Sequence, residues 1–420
     1  MRGTGTRAAP PVYDRGNRRV EGTEIVPRPT VTAALACAAL LLTAGCSSGD
    51  GGWPPVAGTS ASPGSPGTAG TAPGGTGSSS GPPAEQAPPA KGSVRVLRTV
   101  ATELRTPWGL APLPDGGLLV SSRDDATITR VDERTGKHTE LGEVPGVAAE
   151  GEGGLLGIAL SPDHGSDRLV YAYLTTVSDN RIVRMLYDPR KPPGQQLGAP
   201  STVLRGIPKG VVHNGGRIAF GPDRMLYAGT GDGGDKALSQ DKESLGGKIL
   251  RMTPDGEPAP GNPFPGSVVY SYGHRNVQGL AWDGWQRLFA SEFGQDTWDE
   301  LNAIGPGGNY GWPDVEGRSD DPAFRNPVAE WPTEKASPSG IAFAGGSVWM
   351  AALRGQRLWR VPLKGTEASA APQAFLDGEY GRLRTAAAAG GGRLWLVTSN
   401  TDGRGDPKPG DDRILELKVD

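Results

Sequence analysis

Residues 218–230 read IAFGPDRMLYAGT, and this stretch decides the fold. It places a short apolar strand, a Pro-Asp turn and an alternating strand in succession, which is typical of a hairpin between two β-strands. Similar hairpins recur at residues 110–121, 158–174, 280–291, 341–352 and 387–398. The six copies predict a repetitive all-β architecture.

The spacing of the copies indicates which all-β architecture this is. Each unit spans about 45 to 62 residues, which suits a four-stranded propeller blade with loops of variable length. A pair of β-sandwiches would not explain the repeated hairpin. We therefore predict a six-bladed β-propeller over residues 92–420, in which distant loops converge at one end of a central channel.

Composition excludes some partners. The chain has 66 glycines and 39 prolines, charged residues make up 21% of it, and its net charge is −3. Lysine and arginine are interspersed with aspartate and glutamate, so there is no basic stripe that would follow a phosphate backbone. Nucleic acid is not expected as a partner.

The N-terminal region predicts export. An apolar run at residues 31–44 follows three arginines and suits a signal peptide, and LTAGCSS at residues 42–48 resembles a bacterial lipobox. We predict a lipoprotein signal over residues 1–46, with Cys46 lipidated and the protein held at the outer face of the membrane. Residues 47–91 are mostly Gly, Ser, Pro, Thr and Ala, which predicts a disordered linker.

One histidine is the best candidate for a general base. His213 lies in VVHNGGR, just before a predicted inner strand, and imidazole accepts a proton near neutral pH if a carboxylate fixes its tautomer. Asp232, in GDGG, could be that carboxylate, although Gly-Asp-Gly is also a common turn. His138 and His164 lie in polar turns and are expected at the surface.

Arginines suggest an anionic ligand. Arg275 lies in YGHRNVQG, a stretch that forms either a plain hydrogen-bonded turn or a rigid fork of donors that binds an oxyanion or a carboxylated ligand. Arg382 and Arg384, in GRLR, would face the same side of a strand. Two cations on one face repel unless an anion joins them, while a solvated strand edge is the alternative.

Oxygen ligands are concentrated farther along the chain. Residues 292–302 read EFGQDTWDELN, and NYGWP at 309–313 precedes further acidic residues at 314, 316 and 320. Calcium binds six to eight oxygens, including backbone carbonyls, in irregular acidic loops of this kind. The pattern indicates a hard cation.

Six motifs together resemble the glucose/sorbosone dehydrogenase family over residues 98–418. In order they are GEGGLLG at 151–157, HNGGR at 213–217, GHRN at 273–276, DELN at 299–302, NYGWP at 309–313 and GRLR at 381–384. The resemblance implies oxidation of a small-molecule sugar, with pyrroloquinoline quinone (PQQ) and calcium as cofactors. The electron acceptor is not indicated.

The resemblance also implies a role for each site residue. His213 would be the base, Asp232 its orienting carboxylate, and Arg275 a polarising group at the reacting centre. The cofactor-binding set would be Glu152, Asn276, Asp299, Arg354, Arg382 and Arg384. Catalytic calcium would bind the carbonyls of Gly294 and Gln295. A structural calcium would bind the side chains of Glu300 and Asp320 and the carbonyls of Tyr310, Glu316 and Arg318.

The sugar pocket departs from the family more than the cofactor frame does. In the sugar pocket, Glu152 stands in place of a glutamine that touches the sugar, and Val212 in place of an aspartate that contacts the substrate. In the cofactor frame, Phe293 stands in place of a polar residue beside the calcium carbonyls, and Arg354 in place of a lysine over the cofactor. The substrate therefore need not be glucose. Two alternatives remain open: a non-catalytic extracellular binding module that retains the fold and calcium, and a lactonase-type propeller with carboxylates around a central metal.

The lipobox gives a first testable prediction. Cys46→Ala should abolish incorporation of labelled fatty acid and release the protein from the membrane fraction, because the acylated thiol is removed. Cys37→Ala, which changes the only other cysteine, should leave both unchanged. Equal labelling of the Cys46→Ala chain would contradict the predicted anchor.

Overall fold

The computed structural model describes residues 85–420, in which twenty-five β-strands account for nearly all regular structure. The predicted signal peptide with Cys46, and residues 47–84 of the predicted linker, lie outside the described residues. Six antiparallel sheets of four or five strands are arranged as the blades of a propeller. The predicted six-bladed all-β fold is confirmed.

The first three blades follow one another along the chain. Their strands are β2 to β5 (Pro107–Pro112, Gly117–Ser122, Thr127–Asp132, His138–Glu143), β6 to β9 (Leu155–Leu160, Leu169–Thr175, Asn180–Leu186, Ser201–Ile207) and β10 to β13 (Ile218–Phe220, Leu226–Gly229, Lys248–Met252, Val269–Tyr272).

The next two blades repeat this order, and the sixth closes the ring. Their strands are β14 to β17 (Val277–Trp282, Leu288–Glu292, Trp298–Ile304, Ala329–Pro332), β18 to β22 (Pro338–Ala344, Ser347–Ala352, Arg357–Lys364, Glu367–Ala368, Gln373–Phe375) and β23 to β25 (Leu383–Gly390, Arg393–Thr398, Ile414–Val419) with β1 (Val94–Ala101).

Strand β1 is the outer strand of the last blade. It pairs antiparallel with β25, from Val94 opposite Val419 to Ala101 opposite Ile414. The two ends of the described chain therefore meet in one sheet. This pairing protects the edge of β25 and joins the first blade to the last.

The core lies between the blades. Strand residues alternate between the two faces of a sheet, so each blade presents apolar side chains to both neighbours. Large side chains such as Tyr173, Phe289 and Trp349 are fully buried there. Burial of this kind contributes roughly 1.5–3 kcal/mol for each large apolar side chain and fixes the rotation of one blade against the next.

Helices are short in residues 85–420. They comprise one α-helix, α1 (His164–Asp167), and one 3₁₀ turn at Lys236–Ser239. No helix among these residues is long and apolar enough to cross a membrane. His138 is exposed, as expected, but His164 is buried and its Nδ1 bonds the carbonyl of Leu169, so its surface assignment was wrong.

Residues 85–91, the end of the predicted linker, contact the propeller on one face. The Glu85 carboxylate pairs with the Arg287 guanidinium, 2.8 Å from Nη1, and accepts the N–H of Gly365. Buried Arg360 donates to the carbonyls of Pro89 and Ala90. Arg287 lies in the turn between the first and second strands of its blade, and Gly365 in the turn between the third and fourth strands of its blade. Both kinds of turn lie on the same face of a propeller, so residues 85–91 join the propeller on that face.

Candidate active site

The propeller face opposite the one that residues 85–91 contact carries a polar cavity of about 260 Å³, which we call the mouth. Its lining comes from loops between the second and third strands of a blade, from loops between one blade and the next, and from Trp108, Gln278 and Arg384 at the start of innermost strands. The lining residues are Trp108, Arg123, Glu152, Gln278, Phe293, Ser337, Leu353, Arg354, Arg382, Arg384, Asp402 and Arg404.

A histidine and an aspartate form a hydrogen-bonded pair beside the mouth. His213 Nδ1 lies 2.7 Å from Asp232 Oδ1, and Trp312 Nε1 donates to Asp232 Oδ2 at 2.9 Å. Burial opposes ionisation of Asp232, but the bonds from His213, Gly234 and Trp312 lower its pKa below the ordinary value. Because an ionised carboxylate only accepts, the imidazole proton lies on Nδ1 and Nε2 carries the lone pair.

The backbone around His213 holds this ring in place. His213 has a left-handed φ of 56°, and its N–H donates to Glu152 Oε2 at 2.9 Å. A Cβ at Gly231 would lie 1.9 Å from the carbonyl oxygen of His213, so only glycine allows the two segments to approach this closely. His213 thereby joins the mouth through Glu152.

Glu152 has two fixed partners. Its Oε1 accepts Arg404 Nη1 at 2.7 Å while Oε2 holds the His213 amide. Burial opposes ionisation of Glu152, yet these partners keep its pKa below the ordinary value. The carboxylate is therefore charged at neutral pH and oriented from both sides.

Arg382 and Arg384 share a carboxylate. Both donate to Asp402 Oδ2, at 2.9 Å from Arg382 Nη2 and 3.3 Å from Arg384 Nη2. Both arginines are buried, so the alternative of a solvated strand edge was wrong, and Asp402 is the anion that joins them. Five arginines still face only two carboxylates in the lining, and they outnumber the carboxylates even when Asp124, the partner of Arg123, is included, so the mouth is positively charged. Arg354 belongs to this set and is exposed.

Arg275 and Asn276 lie one bond behind the lining. Arg275 Nη1 donates to the carbonyl of Phe293 at 3.2 Å, and its guanidinium lies 5.4 Å from the ring centre of Trp312. Asn276 Oδ1 accepts the N–H of Gly215, two residues after His213. Arg275 Nε and Asn276 Nδ2 are buried and have no partner among residues 85–420.

The loop between β15 and β16 presents free carbonyls. The amides of residues 295–298 all donate to Glu316 Oε1, at 2.8 to 3.1 Å. Asp299 accepts the N–H of Gly294 and of Ser337, and burial raises its pKa to about 7. The carbonyls of Gly294 and Gln295 accept no hydrogen bond from residues 85–420. Two free carbonyls in a loop fixed by carboxylates suit a calcium ion.

The expected second calcium site is less complete. Glu300 is buried and accepts Gly317 N–H at 2.6 Å and Asn302 Nδ2 at 2.9 Å, whereas Asp320 is exposed and accepts no hydrogen bond from the described residues. Glu316 uses its carboxylate on the neighbouring loop, as above. Tyr310 is buried and Arg318 exposed, and residues 85–420 contain no cluster of three or more metal-binding His, Cys, Asp or Glu side chains.

A buried network lies beside Glu300. His274 Nδ1 is 2.7 Å from Glu292 Oε2, and the His274 ring stacks on that of Tyr310. Burial raises the pKa of Glu292 to about 8 and lowers that of His274 to about 3. His274 is therefore a neutral core residue and not a second base.

Sequence reasoning missed several mouth residues. Asp402, Arg404 and Arg123 carry charge into the cavity, Trp312 positions Asp232, and Gln278 Oε1 accepts from Arg384 at 3.0 Å. The local signals available were the charged, glycine-rich run DGRGD at 402–406 and the motifs YGHRNVQG and NYGWP, which contain Gln278 and Trp312. Of the predicted set, Glu152, Arg354, Arg382 and Arg384 line the mouth. His213, Arg275 and Asp299 each bond to a lining residue.

Fold and mouth define a six-bladed propeller with an oriented imidazole beside a cationic cavity. A family profile described as glucose/sorbosone dehydrogenase matches residues 104–406, and the chain belongs to this family. The resemblance stated from the motifs is confirmed.

Relatives agree with this placement. The PQQ-bound aldose sugar dehydrogenase of Streptomyces coelicolor superposes with a TM-score of 0.79 and 79% identity, covering 80% of this chain and 100% of that one. The aldose sugar dehydrogenase of Escherichia coli K12 is 34% identical over 54% of this chain and 63% of its own length. Quinoprotein glucose dehydrogenase B of Acinetobacter calcoaceticus is 32% identical over 54% of each chain. The matches span about half to two thirds of these two curated relatives.

The Glu316 carboxylate gives a prediction about the loop it holds. Glu316→Ala should speed hydrogen exchange at the amides of residues 295–298 by about ten-fold or more, because bonds to a charged acceptor contribute roughly 1.5–3 kcal/mol each. Glu330→Ala removes an acceptor of the Arg318 amide in the same region and serves as the control. Unchanged exchange in the Glu316→Ala chain would show that the loop is held by other contacts.

Proposed function

We propose that the chain is a PQQ- and calcium-dependent aldose sugar dehydrogenase that oxidises the C1 hydroxyl of a sugar to a lactone. The observation that carries the proposal is the His213–Asp232–Trp312 arrangement beside a mouth in which five arginines face two carboxylates. A binding module needs no oriented imidazole with a free Nε2. The two lining carboxylates are bound to arginines, which leaves no carboxylate cage for a lactonase-type metal.

The mouth fits the cofactor by charge. PQQ carries three carboxylates, which Arg382, Arg384 and Arg354 would hold, and Arg123 and Arg404 belong to the same lining. Bound PQQ would supply the acceptor for the hydride of the sugar. The free carbonyls of Gly294 and Gln295 would bind calcium, whose charge would orient the ligands of the mouth.

His213 would take the proton of the C1 hydroxyl on Nε2. Asp232 accepts from Nδ1, so it stabilises the imidazolium that forms, and Trp312 prevents the carboxylate from rotating away. Arg275, held by the carbonyl of Phe293, would stabilise negative charge that develops on the reacting oxygen. The oriented Glu152–Arg404 pair offers acceptors and donors to sugar hydroxyls at the same rim.

The activity is tested by adding PQQ and calcium to the apo protein and following dye reduction across a panel of aldoses. Turnover of at least one aldose, with bleaching of the oxidised cofactor, is expected. No turnover together with an unchanged cofactor spectrum would leave the binding module as the better proposal.

We also propose that the protein is a lipoprotein at the outer face of the membrane, with its mouth turned away from the bilayer. Residues 85–91 join the propeller on the face opposite the mouth. A tether arriving there would leave the mouth open to sugars in the surrounding medium.

His213→Ala should lower kcat by about 10²–10⁴-fold, the usual contribution of a general base, and change the dissociation constant of PQQ by less than about three-fold. His138→Ala changes an exposed histidine and should leave both values unaltered. Parallel loss of turnover and PQQ affinity in His213→Ala would contradict the base assignment.

Arg384→Gln should weaken PQQ binding by about ten-fold or more, because it removes a buried charged donor from the lining of the mouth. Most of kcat should return at saturating PQQ. Arg393→Gln alters a half-exposed arginine of the same blade and is the control. A purely catalytic defect at saturating PQQ would assign Arg384 to the chemical step instead.

A further inference from the structure

A second cavity, which we call the lower cavity, lies at the opposite end of the channel and measures about 420 Å³. Each innermost strand contributes three consecutive residues, and the middle residue is alanine in all six triplets. They are residues 110–112, 158–160, 218–220, 280–282, 341–343 and 386–388. Apart from Arg217 and Thr385, every side chain in this lining is apolar or absent.

Exposure shows which end of the lower cavity is open. In all six triplets the first residue is buried and the third is half-buried or exposed. Arg217 directly precedes the buried Ile218 and is itself 7% exposed. The guanidinium therefore lies at the closed end, and the opening lies on the face away from the mouth.

Arg217 is a buried cation without an anion. Its Nε donates to the carbonyl of Gln278 at 2.8 Å and its Nη2 to Thr385 Oγ1 at 3.0 Å. Among residues 85–420 it forms no ion pair, and its Nη1 has no hydrogen-bond partner. Burial lowers its pKa to about 9, so the group stays charged at neutral pH.

Two other buried cations of the described residues are better satisfied. Lys248 donates to the carbonyls of Leu238, Ser239 and Gly246, at 2.6 to 3.0 Å. Arg384 has Asp402 as its partner. A charge removed from water without a counter-ion costs several kcal/mol, so a ligand anion would stabilise the Arg217 guanidinium.

The lower cavity is distinct from the mouth. The two linings share no residue, and they meet where the Trp108 ring lies 4.4 Å from the Arg217 guanidinium and 5.7 Å from that of Arg384. An anion at Arg217 and a cofactor at Arg384 would thus occupy separate sites on either side of this contact.

We propose that the lower cavity binds a single-chain amphiphile with one carboxylate. The carboxylate pairs with Arg217 through its free N–H, and the alkyl chain lies between the apolar triplets toward the open face. Guanidinium and carboxylate match in charge and geometry, and the apolar walls exclude a sugar or an inorganic anion.

Equilibrium dialysis of the full chain carrying Cys46→Ser, without detergent or PQQ, tests the proposal with dodecanoate as the probe. One saturable equivalent should bind. Dodecan-1-ol, which has the same chain length and no charge, should bind at least ten-fold more weakly.

Two variants define the site. Arg217→Gln should weaken dodecanoate binding at least ten-fold, and Ala219→Trp should do so by filling the cavity while Arg217 remains. The second variant decides the matter if Arg217→Gln does not fold. Arg384→Gln, in the mouth, should leave dodecanoate binding unchanged.

Three results would overturn the proposal: no saturable binding, equal affinity for the acid and the alcohol, or loss of binding in Arg384→Gln with retention in Ala219→Trp. None of these depends on turnover. If the chain bound dodecanoate at Arg217 but oxidised no sugar, the proposed dehydrogenase function would be contradicted and the proposed amphiphile site would stand.

Discussion

Closure of the ring by strand β1 is the constraint on which the rest of the structure depends. Every mouth residue lies in a loop or at the start of an innermost strand whose position follows from the rotation of its blade, and adjacent blades fix one another only when the circle is complete. The pairing of β1 with β25 completes it across the whole length of the chain. Arg382, Arg384, Asp402 and Arg404, all in the closing blade, thereby come to lie beside Glu152, which lies between the first and second blades.

A buried charge is destabilising unless it has a partner, and the surroundings of His213 differ in this respect from those of Arg382 and Arg384. Around His213 every polar atom but Nε2 is used: Asp232, Glu152 and Trp312 fix the ring and leave one lone pair for chemistry. Around Arg382 and Arg384 a single aspartate serves two guanidinium groups, so positive charge remains for an anionic ligand. The site thus combines an oriented imidazole with neighbouring guanidinium groups whose positive charge is only partly neutralised.

The two ends of the channel have opposite character. The mouth is lined by charged side chains from long loops, whereas the lower cavity is lined by short apolar triplets of the inner strands. Trp108 lies at the boundary, in contact with a guanidinium from each. Residues 85–91 contact the propeller on the apolar side, where Glu85 pairs with Arg287.

The sequence by itself determined the blades, because a strand–turn–strand repeat is a local pattern that does not depend on distant contacts. Residue type and motif order also identified His213, Arg275, Arg382 and Arg384 before any coordinates. Only the tertiary structure decided the partners of these residues. Trp312 bonds Asp232 across 80 residues of sequence, and Arg404 bonds Glu152 across 252. Glu316 was expected to bind calcium through its backbone carbonyl, but its side-chain carboxylate accepts the amides of the 295–298 loop. Hydrogen bonds act over about 3 Å, and which groups come that close is set by blade rotation and loop path, which no local pattern encodes.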